Sequence, residues 1–190
     1  MRKFWVFAAF AIGLLAVPGA RADDAEMWAL LKKPGHVVLL RHSNAPGATP
    51  EPYGIDLKNC AIQRSLDDDG RAQARRIGDA FRKNGIAKVR LVSSQFCRAL
   101  ETARLTKLGP VAELPALNQV FLTDLSGMKE TAEKTAKFMK TIPAKQLAIF
   151  VSHVSNIQSI AGAVLDSGEM AILHLDASGA VVVDGRIKVP

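Results

Sequence analysis

Short apolar runs that stop abruptly at polar residues set the rhythm of this chain. Val37-Val38-Leu39-Leu40 ends in Arg41-His42 and is bounded by Pro34-Gly35 before it and by turn-forming residues 43–47 after it. Such a run predicts a strand buried on both faces that empties into a loop. Val89 to Ser93 and Gln146 to Ser152 predict two more strands, the latter ending at His153. Between them the spacing changes to that of helices. Ala25, Trp28 and Leu31 share one face of a predicted helix over Asp23–Lys33. Ala74, Ile77, Ala80 and Phe81 do the same in a helix from Arg71 to Phe81, closed by Asn84-Gly85. Leu125 to Thr141 reads as a helix with Lys129, Lys134, Lys137 and Lys140 on its wet side, and Ser155-Asn156 as the cap of another running through Ile157 to Val164. Val111 to Leu114 predicts a short strand, and Met170–Leu175 with Ala180–Val183 a hairpin. Strands alternating with helices predict an α/β sheet.

Residues 43–69 break the rhythm. They hold Pro46, Pro50, Pro52, Gly47 and Gly54, too many for a regular element. A loop this long directly after a strand end is expected to wall a site.

The first residues follow another logic. Met1-Arg2-Lys3, an apolar segment from Phe4 to Val17 and the small-x-small site Ala20-Arg21-Ala22 predict a secretory signal peptide over residues 1–22. One domain over residues 23–190 follows, and a periplasmic or secreted location with no stable membrane insertion after cleavage. Cleavage would remove Arg2, Lys3 and Arg21 and lower the formal charge from +7 to +4. That excess suits an anionic small molecule but is too small and dispersed to suggest nucleic acid. In an exported domain Cys60 and Cys97 favour a disulfide over two buried thiols. No close Cys/His ligand pair predicts a zinc site.

In α/β sheets ligands collect at the carboxyl ends of strands. Arg41, His42 and His153 all stand at such ends, and Arg98 follows the Val89 to Ser93 strand in a segment passing from strand into helix. Guanidinium groups and first-turn amides suit a phosphate, and a neutral imidazole can act as nucleophile. Each also has an ordinary reading: Arg98 could pair with Glu101 on a helix surface, and His153 could be a satisfied core residue. Asn44 and Arg64 in the long loop could bind a ligand, or serve as a turn former and a solvated cation.

Leu40-Arg41-His42, the segment Ser93-Ser94-Gln95-Phe96-Cys97-Arg98-Ala99-Leu100-Glu101-Thr102-Ala103 and Val151-Ser152-His153 together resemble the histidine phosphatase superfamily, the phosphoglycerate-mutase-like fold. Gln63-Arg64-Ser65-Leu66, Gly70-Arg71-Ala72-Gln73-Ala74 and Ser167-Gly168-Glu169 are similar to its smaller bacterial branch. The resemblance implies a three-layer sandwich with a mostly parallel central sheet flanked by helices. It implies a phosphohydrolase acting through a phosphohistidine on a small phosphate ester or envelope-associated phosphorylated compound, with no metal or cofactor. His42 would be the nucleophile, with Arg41, Arg98 and a protonated His153 lowering its pKa and holding the phosphoryl oxygens. One departure stands out. Where many members carry Leu-Asn-Glu, whose glutamate protonates the leaving group, this chain has Leu117-Asn118-Gln119. Asp124 is the nearest downstream acid, with a helix cap as its other reading. Without an acid, substrates with good leaving groups would be favoured, and a non-catalytic phosphate-binding protein of the same fold is the alternative.

Overall fold

Successive side chains of a strand face opposite ways, so a strand without polar positions must lie between two layers. β1 (Val37–Arg41) does so. Val38 and Leu40 enter one core with Trp28, Ile77 and Phe81, while Val37 and Leu39 enter another with Met139, Ile157 and Ile160. Full burial contributes about 2 kcal/mol for each such leucine. The computed structural model describes residues 24–47, 51 and 54–189. The predicted signal segment lies outside the described residues.

In chain order the elements are α1 (Asp24–Leu30), β1, α2 (Asp68–Lys83), β2 (Arg90–Ser93), α3 (Cys97–Thr106), β3 (Val111–Glu113), α4 (Leu125–Met139), β4 (Ala148–Ser152), α5 (Val154–Ala161), β5 (Glu169–Leu175) and β6 (Val181–Lys188). Single 3-10 turns occur at Cys60–Ile62 and Pro115–Leu117. The sheet order is β3-β2-β4-β1-β5-β6. The pairs β3–β2, β2–β4 and β4–β1 are parallel, and β5 runs antiparallel to both β1 and β6. Side chains of α1, α2 and α3 fill the core on one face, and those of α4 and α5 fill the other. This is the three-layer α/β sandwich with a mostly parallel sheet that the sequence resemblance implied.

Local chemistry sets the helix ends. Asp67 caps α2, its Oδ1 accepting from the Gly70 amide at 2.6 Å, and Asp124 caps α4 from Oδ1 to the Gly127 amide at 2.9 Å. Gly78 lets α2 press against α3, because a Cβ there would overlap the Thr106 carbonyl oxygen. The expected cap at Ser155-Asn156 is corrected: α5 begins two residues earlier, with His153 at its N-cap. Asn156 instead bridges to the 118–120 segment, accepting from the Val120 amide at 3.1 Å and donating to the Asn118 carbonyl at 2.6 Å. It is fully buried, and a buried amide needs such partners. The helix stops at Gly162, which takes the left-handed conformation at φ 61°, and not at Val164. The second hairpin strand runs on to Lys188, past the Val183 expected from its apolar residues, since its outer half alternates with Asp184, Arg186 and Lys188 at the sheet edge. No helix among the described residues is long and apolar enough to cross a membrane.

Candidate active site

Strand register assembles the site. Arg41 lies opposite Ser152 and Ser93 opposite Val151, so β1, β4 and β2 end side by side. The residues that follow them, His42, His153 and Ser94, therefore meet. The His42 amide donates to the Ser152 carbonyl at 3.0 Å, and the two imidazole centroids lie 5.3 Å apart. α3 starts just beyond Ser94 and carries Arg98 beneath both rings. The Arg98 guanidinium also lies over the Phe96 ring, 4.8 Å from its centroid.

Arg98 is fully buried and spends its fork on the site. Its Nε donates to His42 Nε2 at 3.2 Å, Nη1 to Glu51 Oε1 at 2.6 Å, and Nη2 to Gln119 Oε1 at 2.5 Å and His153 Nδ1 at 3.2 Å. This excludes the surface pairing with Glu101, whose carboxylate faces Arg71 at 3.6 Å. Burial, opposed by Glu51, lowers the Arg98 pKa to about 10, so the group stays a cation at neutral pH.

The network fixes both histidine tautomers. His42 Nδ1 lies 2.8 Å from the Ser43 carbonyl, to which it must donate, leaving an unprotonated lone pair on Nε2 beside Arg98. Burial first and Arg98 second push the His42 pKa down to about 3, with Arg41 and Arg64 adding smaller contributions. His153 accepts from Arg98 at Nδ1, so its Nε2 donates to Ser94 Oγ at 2.8 Å, and that hydroxyl donates onward to Asn118 Oδ1 at 3.2 Å. The expected protonated His153 is corrected here. Burial, Arg98 and His42, in that order, hold its pKa well below the ordinary value, and it sits neutral.

Arg41 is half-buried, donates from Nη1 to the Leu165 carbonyl at 2.7 Å, and keeps a buried Nε without a hydrogen-bond partner. Arg64 reaches the Gly47 carbonyl at 3.2 Å and also has an unpartnered buried Nε. Three guanidinium groups thus act electrostatically on a neutral imidazole, and one of them, Arg98, is paired with the Glu51 carboxylate. Such an arrangement binds an anion and leaves Nε2 able to attack it.

Other sequence candidates stand apart. Asn44 is exposed, donates from Nδ2 to Asp67 Oδ2 at 2.8 Å and accepts nothing from the catalytic cluster, so it ties the loop to the start of α2. Asp124 caps α4, and its hydrogen bonds go to Ser126 and Gly127, none to His42, Arg98 or His153. Glu51 was missed altogether. It is a lone acid between two prolines, and nothing in its neighbours' spacing marks it.

Cys60 and Cys97 form a disulfide, with Cα atoms 5.7 Å apart. The bridge ties the 3-10 turn of the long loop to the first residue of α3, next to Arg98, and Gln63 Oε1 accepts from the Cys97 amide at 2.9 Å beside it. Closing a loop of 37 residues restricts the unfolded chain by about 4 kcal/mol in the chain-entropy description. A Cys60→Ser/Cys97→Ser variant is expected to lose stability of that order in urea unfolding. The same transition in the wild type should move to lower urea when a reductant is added.

Among the described residues, one group has the donors to hold a metal ion: His36, His174 and Asp184, with His174 Nδ1 at 2.8 Å from Asp184 Oδ2. It gathers at the opposite end of β1 from His42, from three separate segments, which is why ligand spacing along the sequence gave no sign of it.

The family model for the histidine phosphatase superfamily (branch 1) matches residues 37–147. The protein histidine phosphatase SixA, solved with tungstate, is 16% identical with a TM-score of 0.59, covering 80% of this chain and 96% of that one. A phosphoserine phosphatase from Entamoeba histolytica, solved with 3-phosphoglyceric acid, is 15% identical with a TM-score of 0.60, covering 80% and 96%. A mycobacterial glucosyl-3-phosphoglycerate phosphatase, solved with VO3, is 15% identical with a TM-score of 0.58, covering 80% and 98%. Among curated proteins none matches by sequence. The family match spans more than half of the chain, from β1 to the residue before β4, and the sheet then sets His153 beside the matched His42 and Arg98: the chain belongs to the histidine phosphatase superfamily.

Proposed function

We propose that this protein is an exported phosphohydrolase that moves a phosphoryl group from a small phosphate ester, or an envelope-associated phosphorylated compound, first to His42 Nε2 and then to water. The observation that carries the reading is the unprotonated His42 Nε2 held against the Arg98 guanidinium, with Arg41 and Arg64 close enough to influence it. In the first step the Arg98 Nε–H passes from His42 Nε2 to a phosphoryl oxygen, the freed Nε2 attacks phosphorus, and the ester P–O bond breaks so that the alcohol departs. The resulting phosphoimidazole keeps its Nδ1 proton on the Ser43 carbonyl, which supports the positive ring. Water then attacks phosphorus, the P–N bond breaks, and its electrons return to Nε2. Phosphatases of the same fold solved with tungstate, VO3 and 3-phosphoglyceric acid support a phosphate-like ligand for this chain.

Export rests on the signal-like residues 1–22 and is supported by the Cys60–Cys97 bridge, which persists in an oxidising compartment. The test of the activity is phosphate release by the oxidised protein, without added metal, combined with alkaline quenching of a labelled substrate. Label on the peptide carrying His42 is the expected result. Protection by inorganic phosphate without label or release would replace the reading with that of an anion-binding protein.

A further inference from the structure

We infer that Glu51 is the acid–base residue of this site, giving a proton to the leaving oxygen of an alkyl phosphate whose organic part lies in the adjoining apolar cleft. The inference rests on the phosphohydrolase reading and adds its missing proton donor and a substrate class.

An alkoxide is a poor leaving group, and its departure needs a proton delivered as the P–O bond breaks. The amide of Gln119 has none to give. Glu51 stands beside it: Gln119 Oε1 occupies Nη2 of Arg98 and Glu51 Oε1 occupies Nη1 of the same guanidinium. The carboxyl group absent from position 119 is thus supplied from the long loop, across one planar fork. Among the described residues it is the one carboxylate hydrogen-bonded to Arg98, His42 or His153.

Its second oxygen is the more telling one. Oε1 accepts from Arg98 and from the Arg64 amide at 2.9 Å, whereas Oε2 is buried without a hydrogen-bond partner among the described residues, 4.0 Å from Arg64 Nε. A group whose purpose was only to neutralise Arg98 would gain from a partner on both oxygens, and a buried acceptor left open in a site calls for an explanation. An oxygen that alternately carries and loses a proton meets that description. Arg98, Arg64 and, through Arg98, His42 and His153 are the charged and titratable groups facing it.

Glu51 also lines a cavity of about 300 Å³ with Ile55, Leu57, Phe96, Phe121 and Gln119. Phe96 packs edge-on to His153 at 4.9 Å, so this apolar cleft opens from the edge of the catalytic cluster. An organic group seated there would place its ester oxygen between His42 and Glu51. The chemistry of the walls fits a phosphomonoester of an alcohol with an apolar or aromatic substituent near the ester oxygen.

The phosphoryl oxygens of the incoming ester take over Nη1 of Arg98, and the proton of the monoanionic ester, or one from solvent, passes to the freed Glu51. His42 Nε2 forms the P–N bond, the P–O bond breaks, and Glu51 transfers its proton to the departing oxygen to give the alcohol. Glu51, now a carboxylate, takes a proton from the water that attacks the phosphohistidine and passes it to the departing phosphate or to solvent as its pair with Arg98 re-forms.

Glu51→Gln keeps the size of the side chain and an acceptor for Arg98 but carries no transferable proton. The experiment compares kcat/KM, which reports events up to departure of the leaving group, for benzyl phosphate and p-nitrophenyl phosphate in the wild type and this variant. The benzyl to p-nitrophenyl ratio is expected to fall by about 100-fold in Glu51→Gln, within the range for loss of a general acid, and to recover in part in Glu51→Asp. An unchanged ratio, whether both substrates slow equally or neither does, overturns the inference and leaves Glu51 a structural partner of Arg98. A fall in KM for both substrates at constant kcat also overturns it and makes Glu51 a plug that substrate displaces. If the wild type releases phosphate from neither substrate, the phosphohydrolase reading itself fails. If it turns over both through His42 while the ratio stays fixed, only the role of Glu51 fails.

Discussion

Replacing His42 by alanine is expected to lower kcat for p-nitrophenyl phosphate by about 10⁴-fold or more and to remove all covalent labelling. Deleting a nucleophile costs more than deleting one stabilising donor, because the covalent route itself is lost. The electrostatics add a pH signature. Free His42 protonates only near pH 3, so kcat/KM should hold no acid limb at the ordinary histidine value of 6.5, and the nucleophile stays neutral through mildly acidic solution. Stability behaves oppositely. Between 6.5 and about 3 the unfolded chain binds a proton at position 42 that the folded protein refuses, so acid favours unfolding there, by up to about 1.4 kcal/mol per pH unit. The contribution is lost as pH falls, and His42→Ala should flatten that part of the stability profile in urea titrations at stepped pH. A variant retaining more than a few per cent of wild-type turnover would place the covalent step elsewhere.

The ends of β1 and β4 were legible because burial on both faces leaves the polar residue that terminates a strand conspicuous, and Arg41, His42 and His153 are such residues. The parallel pairing that brings them together follows from the α/β alternation. Arg98 was legible only in part: its place in a strand-to-helix segment pointed to an anion, yet a surface pair with Glu101 fitted the same spacing, and only complete burial separates the two. Glu51 was not legible. Its role depends on contacts between positions distant in sequence, which no local spacing announces: its Oε1 accepts from Arg98 Nη1 and from the Arg64 amide. Asn44 and Asp124 show the converse. Both are polar residues close in sequence to functional segments, and both are used locally, at the start of α2 and at the cap of α4. α5 starts before the cap that Ser155-Asn156 predicts because Asn156, a good cap in isolation, is drawn into a buried bridge to Asn118 and Val120.

Arg98→Ala is expected to reduce kcat/KM by at least about 100-fold, comparable to removing a preorganised oxyanion donor, and to do so with both aryl and alkyl phosphates. The loss is common to both because Arg98 acts on the phosphoryl group and on both histidines, whichever leaving group is attached. Lysine should not restore it. A single ammonium cannot present an Nε–H to His42 together with a planar pair of terminal nitrogens to Glu51, Gln119 and His153. Stability must be separated from chemistry here, because the alanine variant strands the Glu51 carboxylate, 7% exposed, without its 2.6 Å partner. Breaking a buried pair from one side costs about 3 to 5 kcal/mol, much of it the penalty of the unpaired charge left behind. Adding Glu51→Gln to Arg98→Ala removes that charge, so the double variant should regain most of the lost stability in urea unfolding while its activity on p-nitrophenyl phosphate, whose leaving group needs no acid, stays low. If the double variant regains activity as well as stability, the arginine serves the fold and the phosphoryl oxygens are held by Arg41 and Arg64. If it regains only stability, the guanidinium under the two histidines is what makes the strand ends of this sheet reactive.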